Sequence, residues 1–429
     1  MSRILFQNAT ILTLDPACPV YRNSNLIVNG TKIESVNGEL SGKFDRVIDA
    51  SDLLLMPGLV NAHIHTPMTL LRGLKDDCDL NEWLEKYIWP AESSLTREDY
   101  YWGSMLGIAE MLATGTTCYT DMYRASGEVF RAAAETGIKA NICDSITSPD
   151  DFDPLTSAGI LETKKNLEQW DGYDDGRLRC DISIQSCWQS PPAMWRYIAD
   201  FASEHDLGIH IHLAETLSEL EHCKNRYGGT PVTLLRDAGV FRNRVIGVHG
   251  IYLNEEDQDI IRNSNTTLVY DPCSNLKCCC GFANLKPYVE KGIPIALGTD
   301  GVCSNNTGDL FDTIKLSSLL QKMLNNDPAF LGAEELLVMA TQTGLHSMGR
   351  DGEAGMLRAG MDADIVAIDT SFPSMQPLLS PAGNLVYSAS GAMVRMTMVR
   401  GKMLYENGEY STIDMDRLRW ELNKITSRY

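Results

Sequence analysis

The chain has 429 residues, more than one small core can hold, and its length alone suggests two or three domains with room to bury a sizeable active site. It carries 57 acidic against 37 basic residues, a formal charge of −20, which disfavours a phosphate backbone or an anionic membrane surface as partner. No run approaches the ~20 apolar residues of a membrane span, and the twelve cysteines follow no paired short spacing, so a cytoplasmic protein with reduced thiols is expected.

In chain order, residues 4–5, 9–14, 25–28, 30–33 and 46–48 are short β-branched runs separated by turn residues, predicting small antiparallel strands. Residues 363–368 and 393–399, followed by a turn at Asn407-Gly408, have the same character, so both termini are expected to complete one β-sandwich domain, 1–56 with 350–429. Between them the pattern becomes strand then helix. Strands are predicted at 59–65, 117–121, 138–143, 180–185, 208–213, 245–250, 267–271 and 294–299; helices include 97–114, 127–135, 191–205, 254–263 and 309–324. Eight such units over 57–349 predict an α/β fold, a (β/α)8 TIM barrel, with a doubly wound open sheet as the competitor.

Candidate site residues cluster at the ends of these strands. His63 and His65 are spaced i, i+2 and leave the same face of a strand, where two imidazoles can grip one cation. His212, His249 and Asp300 also fall at or just past strand C-termini, the end at which barrel enzymes build active sites. His63, His65, His212 and Asp300 make a set of three imidazoles and one carboxylate suited to a borderline divalent cation such as Zn or Fe(II). His212 taken alone is equally a satisfied interior histidine, and His210, one pleat deeper, is assigned to the core.

A water on such a cation ionises near pH 7. Asp300 can then act as ligand and general base, and His249 can hydrogen-bond the hydroxide or the oxygen of a tetrahedral intermediate. Glu215, three residues beyond His212, would stand over the open coordination position to protonate a ring nitrogen and pass a proton to a leaving amine; its rival role is an acid at a helix start. The fourth-strand region, Ile182 to Trp188, lacks the lysine that a bridged two-metal site would want, which favours a single metal.

These stretches, Pro57 to His65, His210 to Glu215, Val248-His249-Gly250 and Leu297 to Asn306, resemble the amidohydrolase superfamily, in the branch of methylthioadenosine/S-adenosylhomocysteine deaminases and triazine hydrolases. Gly360 to Val366 resembles its segment leading back into the small β domain. The resemblance implies one divalent metal, Zn first with Fe or Mn as alternatives, and hydrolytic release of ammonia from an amino-substituted N-heterocycle. Displacement of halide or alkylamine from a triazine-like ring is the alternative, and a catalytically dead interaction protein is the non-enzyme one. It also implies a homo-oligomer, dimer or tetramer, and substrate contacts from Trp83, Glu92 and Ser304, although Trp83 and Trp89 equally suit packing of a helix on the barrel. Deaminases of the branch carry a Pro-His pair where this chain has Ile184-Gln185, and arginines where it has Asp144 and Ile160. Gln185 and Asp144 are therefore expected to shape a specificity different from that for S-adenosylhomocysteine.

Overall fold

In a computed structural model, residues 2–78 and 80–428 are described. The eight predicted strands of the central segment form, with the fourth interrupted at Asp181 into Leu178–Cys180 and Ile182–Ile184. They pair in two parallel sheets. One orders Leu59–Ile64, Thr116–Tyr123, Lys139–Asp144 and Leu178–Cys180; the other orders Ile182–Ile184, Ile209–Leu213, Val245–His249, Thr266–Tyr270 and Ile295–Leu297. The two sheets adjoin at two places, Leu59–Ile64 beside Ile295–Leu297 and Lys139–Asp144 beside Ile182–Ile184. Most of these strands are buried throughout, as expected of parallel strands covered on both faces.

The helices between them begin and end on local signals. Thr96 caps Arg97–Ala113 and Asn254 caps Glu255–Arg262, each in a reciprocal box with the aspartate three residues on. Ser126–Thr136 ends on Gly137, whose φ of +86° is the left-handed conformation that glycine adopts without strain.

Both chain termini contribute to one nine-stranded sheet: Arg3–Leu12, Val20–Asn29, Lys32–Val36, Arg46–Asp49 and Leu53–Pro57 join Ile365–Asp369, Val394–Val399, Lys402–Glu406 and Glu409–Tyr410. The expected all-antiparallel arrangement does not hold, because Arg3–Leu12 runs parallel to Arg46–Asp49 and Leu53–Pro57. The segments predicted at 4–5 and 9–14 are one strand whose pairing shifts register after Phe6 and again after Ala9.

Strand alternation joins this sheet to the rest of the chain. Leu55, Ile365 and Ala367 point into the terminal core, whereas Leu54, Met56, Val366 and Ile368 belong to the core shared with the parallel strands. A polar contact reinforces the seam: Lys139, 1% exposed, reaches Asp362 at 2.8 Å and Asp364 at 2.7 Å. All twelve cysteines are free thiols, and no helix among the described residues is long and apolar enough to cross a membrane.

Candidate metal and catalytic site

His63 and His65 close the strand Leu59–Ile64, His212 lies in Ile209–Leu213, His249 ends Val245–His249, and Asp300 follows Ile295–Leu297, so the parallel register brings all five to one end of the two sheets. His249 and Asp300 have φ values of +73° and +59°, a left-handed conformation unfavourable for non-glycine residues. Such strain persists where the surrounding structure over-determines it, and here it turns both side chains into the site.

Donor atoms of His63, His65, His212 and Asp300 lie within 4.8 Å of one another, and all four residues are buried. Each imidazole is oriented through its other nitrogen. His65 Nδ1 donates to the carbonyl of Met122 at 2.7 Å and His212 Nδ1 to that of Gln185 at 2.8 Å, which leaves both Nε2 atoms with inward lone pairs. His63 Nδ1 meets His210 Nε2 at 2.9 Å, so His210 does more than fill the core: it orients the His63 ring.

His63 Nε2 is buried without a hydrogen-bond partner and stands 3.3 Å from Asp300 Oδ1, as does His65 Nε2. Burial lowers the pKa of all three imidazoles, that of His212 to about 4, and so keeps them neutral as ligands must be. Burial alone would raise the Asp300 carboxyl, but the adjacent His63, His65 and His249 hold it well below the usual carboxylate range. Inward lone pairs, an orphaned buried nitrogen and an ionised carboxylate fit a divalent cation.

Glu215 and His249 flank this cluster. Glu215 Oε1 is 3.6 Å from His249 Nε2 and receives a weak hydrogen bond from Cys280 Sγ at 3.6 Å. Burial pushes the Glu215 carboxyl up to about 7. Its backbone N–H donates to Glu219 at 2.9 Å, a second buried carboxyl pushed up to about 8 by desolvation. Thr216 caps Leu217–Tyr227, whose first turn carries Glu219 as its acid, and Glu215 lies just before the cap.

The short helix Pro272–Lys277 supplies residues that sequence reasoning missed. Ser274 Oγ donates to Asp300 Oδ2 at 2.5 Å, and the Asn275 carboxamide oxygen accepts from His249 Nδ1 at 2.8 Å. The string Ser274-Asn275 carries no chemical signature of its own; only the approach of this turn to the ends of neighbouring strands gives it a role.

The cavity above the cluster is lined by Trp83, Trp89, Glu92, Tyr123, Arg124, Gln185, Trp188, Glu215, His249 and Ser304 among others. Of the expected substrate residues, Trp83 donates its indole N–H to the Lys75 carbonyl at 3.0 Å and shows an apolar face, while Glu92 accepts from the Tyr123 hydroxyl. Ser304 Oγ lies 3.1 Å from Asp300 Oδ2. Gln185, which also lines the cavity, accepts from Ser145 at Oε1 at 2.5 Å. Trp89 and Trp188 face each other across 6.4 Å. Asp144 is displaced from this cavity: it lines an adjoining lobe, and Ile160 is wholly buried in the core.

Parallel strands converging on a three-histidine, one-aspartate cluster define a metal-dependent hydrolase of the amidohydrolase family, and the model of that family matches residues 54–404. The chain belongs to this family. Among its relatives is 5-methylthioadenosine/S-adenosylhomocysteine deaminase of Desulforamulus reducens, 36% identical over 432 residues and covering 100% of this chain and 99% of the relative. A 5'-deoxyadenosine deaminase of Methanosarcina acetivorans is 36% identical over 418 residues, covering 97% and 96%. The crystal structure of an adenosine deaminase from Xanthomonas campestris with bound zinc superposes with a TM-score of 0.94 at 28% identity, covering 100% of this chain and 98% of that one.

Proposed function

We propose that the protein is a metal-dependent aminohydrolase that releases ammonia from an amino-substituted N-heterocycle, with adenine nucleosides first in line. The observation that carries this is Glu215, a buried carboxyl able to hold a proton near neutral pH, set beside His249 and over the cluster of His63, His65, His212 and Asp300. A divalent cation held by those four residues, zinc foremost with iron or manganese as alternatives, supplies Lewis acidity that brings water within reach of deprotonation near neutral pH.

Asp300 accepts the proton that water gives up, and Ser274 and Ser304, donating to its other oxygen, fix the carboxylate's orientation. Glu215 donates its own proton to a ring nitrogen and so makes the adjacent carbon electrophilic. Recharged with the proton that Asp300 took from water, it passes a proton to the departing amine, and the hydroxyl proton of the adduct returns to Glu215 as the carbonyl forms. His249, with Nδ1 donating to Asn275, offers the Nε2 lone pair to the hydroxyl added at the carbon. Trp89 and Trp188, in tilted contact with each other in the cavity wall, offer aromatic surface to a planar ring, and Gln185 supplies an amide to the same wall. A proton-carrying Glu215 matters most for an amine leaving group, which favours deamination over displacement of halide.

In this reading the two parallel sheets close as one (β/α)8 barrel over 57–349, with residues 178–184 as its fourth strand. The terminal sheet, from 1–56 and 350–429, curls around its own core as a β-sandwich.

The test is ammonia release by zinc- or manganese-loaded protein across 5'-deoxyadenosine, methylthioadenosine, S-adenosylhomocysteine, adenosine, guanine, pterins, cytosine and aminotriazines. Ammonia from one ring class, reduced ~10²-fold or more in Glu215→Gln at unchanged metal content, is expected. Silence across the panel from metal-replete protein would reject deamination.

A further inference from the structure

Beside the metal cavity lies a second lobe, and the two share Arg124, Ser145 and Thr147 as common wall. A substituent on a ring seated at the metal cluster therefore has a direct route into it. The floor of the lobe is Asp144, the last residue of Lys139–Asp144, only 6% exposed. Its Oδ2 accepts from the backbone N–H and the hydroxyl of Ser126, at 3.2 and 3.0 Å, whereas Oδ1 has no hydrogen-bond partner among the described residues. Gly159 keeps Oδ1 accessible: a Cβ there would stand 3.3 Å from that oxygen.

The charge of the lobe has one prevailing sign. Asp144, Asp151, Asp153 and Glu162 face it, against Arg97 and Arg124. Arg97 is engaged by Glu162 and Glu128, so Arg124, at the junction with the metal cavity, is the one guanidinium of the lobe left without an ion pair among the described residues. An anionic tail reaching the floor of the lobe would meet the Asp144 carboxyl, with Arg97 already paired and Arg124 away at the junction, and a purely apolar one would make no use of the open Oδ1.

Building on the aminohydrolase reading of the metal cavity, we propose that the lobe is a subsite for a flexible substituent ending in a protonated amine, received by Asp144 Oδ1. Burial pushes the Asp144 carboxyl up to about 7, and an arriving ammonium favours its ionised form. Asp144 would then discriminate among substrates that share a ring but differ in the charge of their tails, a role for this chain's own aspartate that metal ligation and proton transfer leave open.

The experiment uses three 5'-deoxyadenosines with a 5'-propylthio chain ending in an ammonium, a hydroxyl or a carboxylate. Affinity for zinc-loaded protein is measured by calorimetry, separately from ammonia release. The amine is expected to bind about tenfold or more tightly than either of the others, since only it forms a charge-assisted hydrogen bond to the carboxylate. The preference should collapse in Asp144→Asn, which can still accept from Ser126, and in Gly159→Ala, which crowds Oδ1. Equal affinity for the three tails, an amine preference that survives both substitutions, or no binding of any of them would overturn the proposal. Amine-selective binding without ammonia release would reject the deamination reading and leave the lobe assignment standing.

Discussion

The Asn275 carboxamide oxygen sits 2.8 Å from His249 Nδ1, and this one hydrogen bond decides which nitrogen of the imidazole keeps its lone pair. With Nδ1 donating, Nε2 is directed at Glu215, 3.6 Å away. Asn275→Ala should free the ring to rotate and change tautomer. We expect kcat to fall about 10–100-fold, KM to move much less, and bound metal to stay stoichiometric. Steady-state kinetics with metal analysis checks this, and an unchanged kcat would remove Asn275 from the catalytic arrangement.

Exhaustive chelation should abolish activity and lower the thermal midpoint, because four buried polar groups lose the cation that satisfies them. Adding zinc at about 100 times its dissociation constant should recover about 2.7 kcal/mol of stability together with activity. Calorimetry before and after reconstitution reads both. A midpoint indifferent to chelation would count against a metal at this cluster.

Gly298 passes so close to the first strand that a Cβ would lie 2.9 Å from the His63 carbonyl oxygen and would also collide with Asp271 Oδ1. Gly298→Ala should therefore push Asp300 away from His63 and His65. A loss of about 1–3 kcal/mol in urea unfolding, with weakened metal affinity, is expected. Wild-type stability and affinity in the variant would show that this contact yields freely.

Asp144 binds its proton more tightly in the folded chain, with a pKa of about 7, than in the unfolded one, because burial penalises the charge. Its contribution to stability is therefore fully present below about pH 4 and is lost as pH rises to about 7. The loss relative to Asp144→Asn reaches about 4 kcal/mol at most and levels off above that pH. Urea midpoints of both proteins between pH 5 and 8 measure it; a difference independent of pH would place the carboxyl in a far wetter setting.

Much of the site was legible in the residues because each ligand is tied to a local pattern. The i, i+2 spacing of His63 and His65, and the arrival of His212, His249 and Asp300 at the ends of apolar runs, follow from strand periodicity and from parallel register. Partners that act through another side chain had no such mark. Ser274 and Asn275 lie in an ordinary helical turn, and His210 looked like a core residue until its contact with His63 was seen. Strand position likewise placed Asp144 at the correct end of the sheet without showing that it faces a lobe beside the metal cavity.

Local chemistry alone thus determined the alternation of strand and helix and picked out His63, His65, His212 and Asp300, which the fold gathers into one cluster, with Glu215 close by, since hydrophobic period and residue type are written along the chain. Tertiary structure decided the parallel pairing of Arg3–Leu12, the tautomers of the imidazoles, the raised pKa of Glu215 and the separation of the Asp144 lobe from the metal cavity. Each of these depends on which groups from distant segments come within a few ångströms and on how much water they exclude, and neither quantity exists until the chain has folded.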